Sequence, residues 1–335
     1  MATTIKDIAK QTGLGLATIS KYLNGGNVLA GNKTAIEKAI KELDFRVNEF
    51  ARGLKTSKSK TIGVVIPELS NIFCTSIITI IEDILRQKGY GILVCDCRTD
   101  EKLECEATEF LVNKMVDGII SMPVSKNGEH LKLPLSKGIP VVLIDRKVEG
   151  LNVDAVLVDN VAAAENAVEY LIDHGHREIG IICGPRDVFT SHQRQLGYSQ
   201  AFIKKGMFPK QELIAYGDYT VQSGYENLKK LLVENKSLSA LFVTNYEMTL
   251  GAIIAINELG IKIPEQISLI GFDNMHLSQV VQPKLTIISQ PISKIAENVA
   301  HIMLKRLSQD KHDEPQIVNL STQLILGESV LSKNI

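Results

Sequence analysis

The sequence contains no tryptophan, and aromatic residues make up only 5% of it. Its cores must therefore be packed from aliphatic side chains. The five cysteines (Cys74, Cys95, Cys97, Cys105, Cys183) are odd in number and lie in apolar, strand-like or helical stretches. That excludes a disulfide scaffold and points to reduced, mostly buried thiols in a cytoplasmic protein. Cys95 and Cys97 share one face of a strand, but no second pair completes a zinc set. His174 and His176 flank a glycine where a helix should stop, which a turn explains. No metal and no cofactor is expected. No apolar run approaches the ~18 residues of a membrane span, and the start lacks a charged-then-apolar leader. No G-x-S-x-G and no glycine-rich phosphate loop is present either, so no catalytic residue is assigned.

What is present begins with an uneven charge. The net charge is −1, yet residues 1–60 hold eleven Lys and Arg against five Asp and Glu, a balance of +6, which leaves −7 for the remainder. A small basic module on a mildly acidic body confines any electrostatic footprint on nucleic acid to one end. The length of 335 residues suggests two or three domains.

Within the basic module, Thr4–Asn24 reads as a helix–turn–helix. Thr4 caps the first helix while Asp7 reaches back to its amide. Ile5, Ile8 and Ala9 share a face at helical spacing, and Gly13 makes the turn. The second helix turns Ile19, Tyr22 and Leu23 inward and leaves Leu16, Ala17, Ser20 and Lys21 on its open face, as a recognition helix does. Taken alone, the pattern also fits a plain helical hairpin. Asn32–Leu43 is a third helix whose Ile36, Ala39, Ile40 and Leu43 close a core over Ile8, Ile19 and Val28. Arg46–Leu54 has Phe50 and Leu54 on one face but is too short to persist alone, and Gly53 weakens it by about another 1 kcal/mol. It reads as a segment that folds on a partner, or as a tether.

From Thr61 the pattern becomes strand–helix alternation. Strand-like runs are TIGVVIPE, GILVCDC, DGIISMP, PVVLID and AVLVDN, then EIGIICGP, ELIAYGD, ALFVTN, ISLIGFDN and LTIISQP. Helices are expected at Thr75–Lys88, Leu103–Lys114, Gly128–Lys137, Ala162–Asp173, Gln193–Lys205, Ser223–Glu234 and Met248–Leu259. Continuous apolar strands between helices imply parallel sheets covered on both faces. TIGVVIP echoes EIGIICGP and PVVLID echoes SLIGFD, so two doubly wound subdomains with a cleft between them follow. Ligands sit at the carboxyl ends of such strands. Asp145, Asn245 and Asp273 end three of them, and Arg194 begins a helix after Gly184-Pro185. Two carboxylates, a guanidinium and an amide suit the adjacent hydroxyls of a sugar. Read by themselves, Asp145 and Asp273 fit equally well as caps of the turns that follow.

The markers IKDIAKQTGLGLATISKYLN, LDFRVNEFARGL, IGFDN and LTIISQP together resemble the lactose-repressor/galactose-repressor (LacI/GalR) family of bacterial transcription regulators, over Thr4 to about Leu331. The resemblance implies an all-α helix–turn–helix headpiece (1–46), a hinge helix and linker (47–60), and an α/β effector-binding and dimerisation core (61–335) like a periplasmic binding protein. In the core, about 61–160 with 292–320 would form one half, and about 161–291 with 321–331 the other. The implied base-readers are Leu16, Ala17 and Lys21, with Thr18, Ser20 and Asn24 near phosphates. Leu54 matches the hinge residue that wedges between central base pairs of a palindromic operator, with Asn48, Ala51 and Arg52 facing groove and backbone. Effector contact is implied for Phe73, Ser121, Asp145, Arg194, Tyr219, Asn245, Asp273 and Ile292. Four positions depart from the family pattern: Val47 for proline, Lys21 for arginine, Leu29 for the serine that caps the third helix, and Tyr246 for aspartate.

The expected function is a cytoplasmic, ligand-gated repressor, not an enzyme. It binds double-stranded operator DNA as a homodimer, because no leucine heptad ends the chain, and it responds to a sugar or sugar derivative. A periplasmic-type sugar-binding protein shares the cleft but would need an export signal and would lack the basic module. A cytoplasmic sugar-converting enzyme would have to use the Asp145, Asp273 and Arg194 cluster.

Overall fold

The computed structural model describes residues 3–45, 58–273, 275–308 and 314–333. The expected hinge residues Asn48, Ala51, Arg52 and Leu54 lie outside the described residues. Two compact units divide the chain at Lys60 and Thr61, and each is described by itself.

The first unit holds α1 (Ile5–Thr12), α2 (Leu16–Leu23) and α3 (Ala30–Glu42). One carboxylate oxygen of Asp7 accepts from both the amide and the hydroxyl of Thr4, at 2.8 and 2.7 Å, which fixes the start of α1. Gly13 ends α1 in the left-handed conformation (φ 68°), and its amide donates to the Ala9 carbonyl at 2.9 Å. Ile8, Ile19, Ile36 and Ala39 are buried together, with Ile40 and Leu43 packed against them. Val28, expected in this core, is only half-buried and stays outside it, because it lies in the connection between α2 and α3. The third helix starts at Ala30, two residues before the expected Asn32. Leu29 stands at its cap and offers no side-chain acceptor to the first turn.

The second unit contains two sheets of the same strand order. The first runs β11 (Ile317–Leu320), β5 (Asp154–Val158), β4 (Val141–Ile144), β3 (Gly118–Ser121), β1 (Thr61–Ile66), β2 (Gly91–Asp96), parallel throughout. The second runs β12 (Gln323–Ile325), β10 (Thr286–Ser289), β9 (Ser268–Phe272), β8 (Ala240–Val243), β6 (Ile179–Cys183), β7 (Ile214–Tyr216). Here β12 alone is antiparallel. The internal echo in the sequence is thus structural: β1 and β6 hold one place in their sheets, and β4 and β9 another.

Helices cover both faces of each sheet. Together α4 (Ile72–Gln87) and α12 (Ile292–Leu307) pack on one face of the first sheet, while α5 (Glu101–Asn113) and α6 (Glu129–Ser136) pack on the other. The second sheet lies between α7 (Asn160–Asp173) with α8 (Phe189–Lys204) and α9 (Val221–Glu234) with α10 (Tyr246–Glu258). Strands buried on both sides explain the unbroken apolar runs, each fully buried Ile or Leu contributing about 1.5–3 kcal/mol. The chain passes between sheets three times, after β5, after β10 and after β11.

Most expected helices exist but begin two to four residues earlier, and five of them start at a capping side chain. Asn71, Asp100, Asp159, Thr220 and Asn245 each accept a first-turn amide. The short α11 (Met275–Val280), the long α12 and strand β11 were absent from the expected elements. No described helix is long and apolar enough to cross a membrane.

Candidate functional site

On α2, Ile19 is fully buried against Ile8 and Ile36, and it orients the rest of the helix. Leu16, at 45% exposure, Ala17, Lys21 and Asn24 are exposed, whereas Thr18 and Ser20 are half-buried. The Asn24 amide folds back to donate to the Ser20 carbonyl at 2.8 Å, which ends α2. Leu16, Ala17, Ser20 and Lys21 follow one another along the side of α2 opposite Ile19, so one short helix carries two apolar side chains and a cation on its outer side.

A cleft of about 600 Å³ opens between the carboxyl ends of the two sheets. Seven of the eight residues expected to meet an effector line it: Phe73, Asp145, Arg194, Tyr219, Asn245, Asp273 and Ile292. Ser121 does not. It closes β3 behind the cleft wall, 1% exposed, and its hydroxyl has no partner among the described residues.

Asp145 and Asp273 follow β4 and β9 directly. Both are left-handed (φ 68° and 65°), a conformation that costs a non-glycine residue about 1–2 kcal/mol. One Asp145 carboxylate oxygen lies 3.6 Å from Arg146 Nε. Its other oxygen is buried without a hydrogen-bond partner among the described residues. Asp273 accepts Gln290 Nε2 on both oxygens, at 2.9 and 3.1 Å. Burial pushes its carboxyl up to about 6, against the opposing pull of Arg194 and Gln290. The Gln290 carbonyl is a second buried acceptor with no described partner.

Arg194 was expected to begin its helix, but α8 starts at Phe189 and places it in the second turn. It is 4% exposed and fully engaged on one side. Its Nε donates to Asn160 at 2.7 Å and Nη1 to the Thr244 carbonyl at 2.5 Å, while the guanidinium lies 3.7 Å over the Phe272 ring. Gly197, one turn on, lets α8 come this close to α7, since a Cβ there would stand 2.2 Å from the Val161 carbonyl.

Asn245 caps α10 by accepting the Met248 amide at 3.1 Å. Its amide nitrogen donates to Glu247 at 2.6 Å. Tyr219 is left-handed (φ 67°), and its ring covers Gly184, where a Cβ would lie 2.1 Å from the ring. Its hydroxyl is 3.3 Å from that of Thr190.

Sequence reasoning missed Asn71, Arg146, Glu247 and Gln290, which also line the cleft. Gln290 follows β10 as Asp273 follows β9, so the strand-end rule that selected the aspartates applied to it equally. Glu247 sits one residue beyond Tyr246 and supplies a carboxylate beside the position where the family pattern has its aspartate. Among the described residues no group of three or more His, Cys, Asp and Glu could hold a metal ion.

Residues 4–48 match the model for bacterial regulatory proteins of the lacI family, and residues 168–330 match a periplasmic binding protein-like domain. The chain is 34% identical to the catabolite control protein A of Priestia megaterium, over 98% of this chain and 99% of that relative. It is 31% identical to the HTH-type transcriptional repressor PurR of Pasteurella multocida (strain Pm70), over 98% and 99% respectively. Among solved structures, the complex of the transcriptional regulator CelR with cellobiose is similar at a TM-score of 0.74 and 26% identity, covering 98% of this chain and 99% of that one.

Proposed function

This chain belongs to the lacI family of bacterial regulatory proteins and is a transcription regulator rather than an enzyme, and on that premise we propose that it represses transcription as a cytoplasmic dimer under the control of a small polyhydroxyl effector. The observation that carries the reading is the convergence of Asp145, Arg194, Asn245 and Asp273 on one cleft, with a buried Asp145 oxygen open to a donor. A sugar hydroxyl is such a donor. The similarity to a regulator solved with cellobiose supports the same chemical class.

In this reading α2 enters the major groove and presents Leu16, Ala17 and Lys21 to base edges, with Thr18, Ser20 and Asn24 toward phosphates. Residues 47–60 form the hinge, with Leu54 as the wedge and Asn48, Ala51 and Arg52 beside it. Two copies read a palindrome, because one short helix contacts too few bases to be specific alone. Effector binding changes the angle between the two halves of the core and so shifts operator affinity. The coupling is about 1–3 kcal/mol, or roughly 5–150-fold.

Selection from random duplexes followed by binding titrations tests this. An inverted-repeat site bound by two chains, with affinity altered by at least one sugar, is the expected result. Recovery of single half-sites bound by one chain would overturn the dimer, and an operator affinity indifferent to every cleft ligand would overturn the switch.

A further inference from the structure

One contact joins the two halves of the core across the cleft mouth, and it involves none of the residues the family resemblance assigns. Asn71 caps α4, on the first sheet, by accepting the Cys74 amide at 3.0 Å. Its amide nitrogen donates to Glu247 Oε1 at 3.1 Å, and Glu247 belongs to the first turn of α10, on the second sheet. The other Glu247 oxygen accepts from Asn245 at 2.6 Å. A single carboxylate therefore receives one amide donor from each side of the cleft.

The charges around it point the same way. Glu68, Asp145, Asp218, Glu247 and Asp273 line the cleft against three cations, Arg146, Arg194 and Lys294. Arg146 stands against Asp145 and donates to the Pro123 carbonyl at 3.2 Å, and Arg194 is held by Asn160 and the Thr244 carbonyl. Of the buried polar atoms on cleft-lining residues that have no described hydrogen-bond partner, two are acceptor oxygens, on Asp145 and Gln290, and one is a donor, Arg146 Nε. Five carboxylates against three cations leave the lining net negative, so a further negative charge on a ligand would meet more repulsion than attraction.

We propose that Glu247 is a specificity-determining residue that ties the two halves of the core together through Asn71 and restricts the cleft to uncharged or cationic polyhydroxyl ligands, excluding phosphorylated ones. The inference rests on the effector reading of the cleft given above. Burial pushes the Glu247 carboxyl up to about 7, with Asp273 and Glu68 adding to the effect, as expected where like charges crowd a partly enclosed site.

Thermal-shift and calorimetric titrations with a panel of hexoses, pentoses and disaccharides, each tested as parent sugar, amino sugar and sugar phosphate, read the selectivity. Wild type should respond to parent or amino forms at least tenfold more tightly than to the matching phosphate. Glu247→Gln, which keeps the shape and removes the charge, should narrow that ratio by about tenfold. A phosphate bound as tightly as its parent, or a ratio unchanged in Glu247→Gln, would overturn the inference while leaving the effector reading intact. If no member of the panel affects wild type, the effector reading falls and this inference with it. Asn71→Asp tests the tie without any ligand, since it keeps an acceptor for the Cys74 amide but faces Glu247 with a second carboxylate. Solution X-ray scattering should show a larger radius of gyration for this variant than for wild type at pH 8, and equal radii would refute the tie.

Discussion

Asp145 and Asp273 are the same residue of a duplicated sheet. Each follows the third strand from its sheet's far edge and is left-handed. Each donates its amide to the neighbouring strand, Asp145 to the Val156 carbonyl at 3.0 Å and Asp273 to that of Ile288 at 2.8 Å. The two carboxylates are thus presented to one cleft from opposite walls by identical backbone devices. Only Asp273 is saturated by a glutamine. Asp145→Gly should therefore separate stability from function. Relief of the left-handed strain and the added chain entropy of glycine, each about 1 kcal/mol, should nearly cancel in the melting temperature. Effector affinity should fall at least tenfold in calorimetry.

The raised carboxyls predict a pH dependence whose sign is fixed. Asp273 moves from 3.8 to about 6, and Glu247 from 4.5 to about 7. Between the ordinary and the raised values the folded chain keeps protons that the unfolded chain has released, so these groups cost stability as pH rises through that window. Glu247→Gln removes one of them. Relative to this variant, wild type should gain about 1–2 kcal/mol between about pH 8 and about pH 5, after discounting for partial exposure of the site. Denaturant titrations at both pH values check it.

His176 acts in the opposite direction. It is fully buried, its Nδ1 2.9 Å from the Ser239 hydroxyl and its Nε2 3.0 Å from the Leu331 carbonyl, so it fastens the tail after β12 to the second sheet. Burial lowers its pKa to about 4, and the stability it contributes is lost as pH falls from 6.5 toward that value. His176→Ala should cost about 2 kcal/mol at neutral pH and make the remaining stability less sensitive to acid over the same range.

Gly197→Ala should destabilise the core by about 3 kcal/mol, because the new methyl meets the Val161 carbonyl and must push α8 away from α7. The same shift draws Arg194 off Asn160. Effector response should therefore weaken even in the fraction that stays folded, which a titration below the melting temperature would reveal.

For the headpiece, Lys21→Ala should reduce affinity for operator and for unrelated duplex alike if its ammonium serves phosphates. It should relax base preference at one position if that group reads a base edge. Binding isotherms at several salt concentrations distinguish the two, since loss of a phosphate contact flattens the salt slope by about one unit.

How much of this was readable beforehand depends on how local the signal is. The apolar runs, the repeat and the strand-end aspartates are written in consecutive residues, and the two sheets follow from them. The long α12 was missed because ISKIAENVAHIMLKRL directly follows a strand, with only Gln290 and Pro291 between, and no capping side chain marks its start. β11 was missed because its pattern, IVNL, is half-exposed at a sheet edge and carries little apolar weight. Asn71 and Glu247 lie 176 positions apart, and no spacing rule links them. Only the folding of both halves brings them together. Arg194 was identified by type but placed wrongly in its helix, since Phe189 and Thr190 carry no start signal and no cap bond forms at Val188.

The three passages between the sheets also have a mechanical meaning. Asn160, the grip of Arg194, stands beside the first passage, and Gln290, the grip of Asp273, stands on the second. Anything that tugs on that arginine or that aspartate therefore pulls directly on the straps holding the two halves of the core, with no intervening relay of packed side chains. Under the proposed switch, effector contact and motion between the halves share the same few bonds.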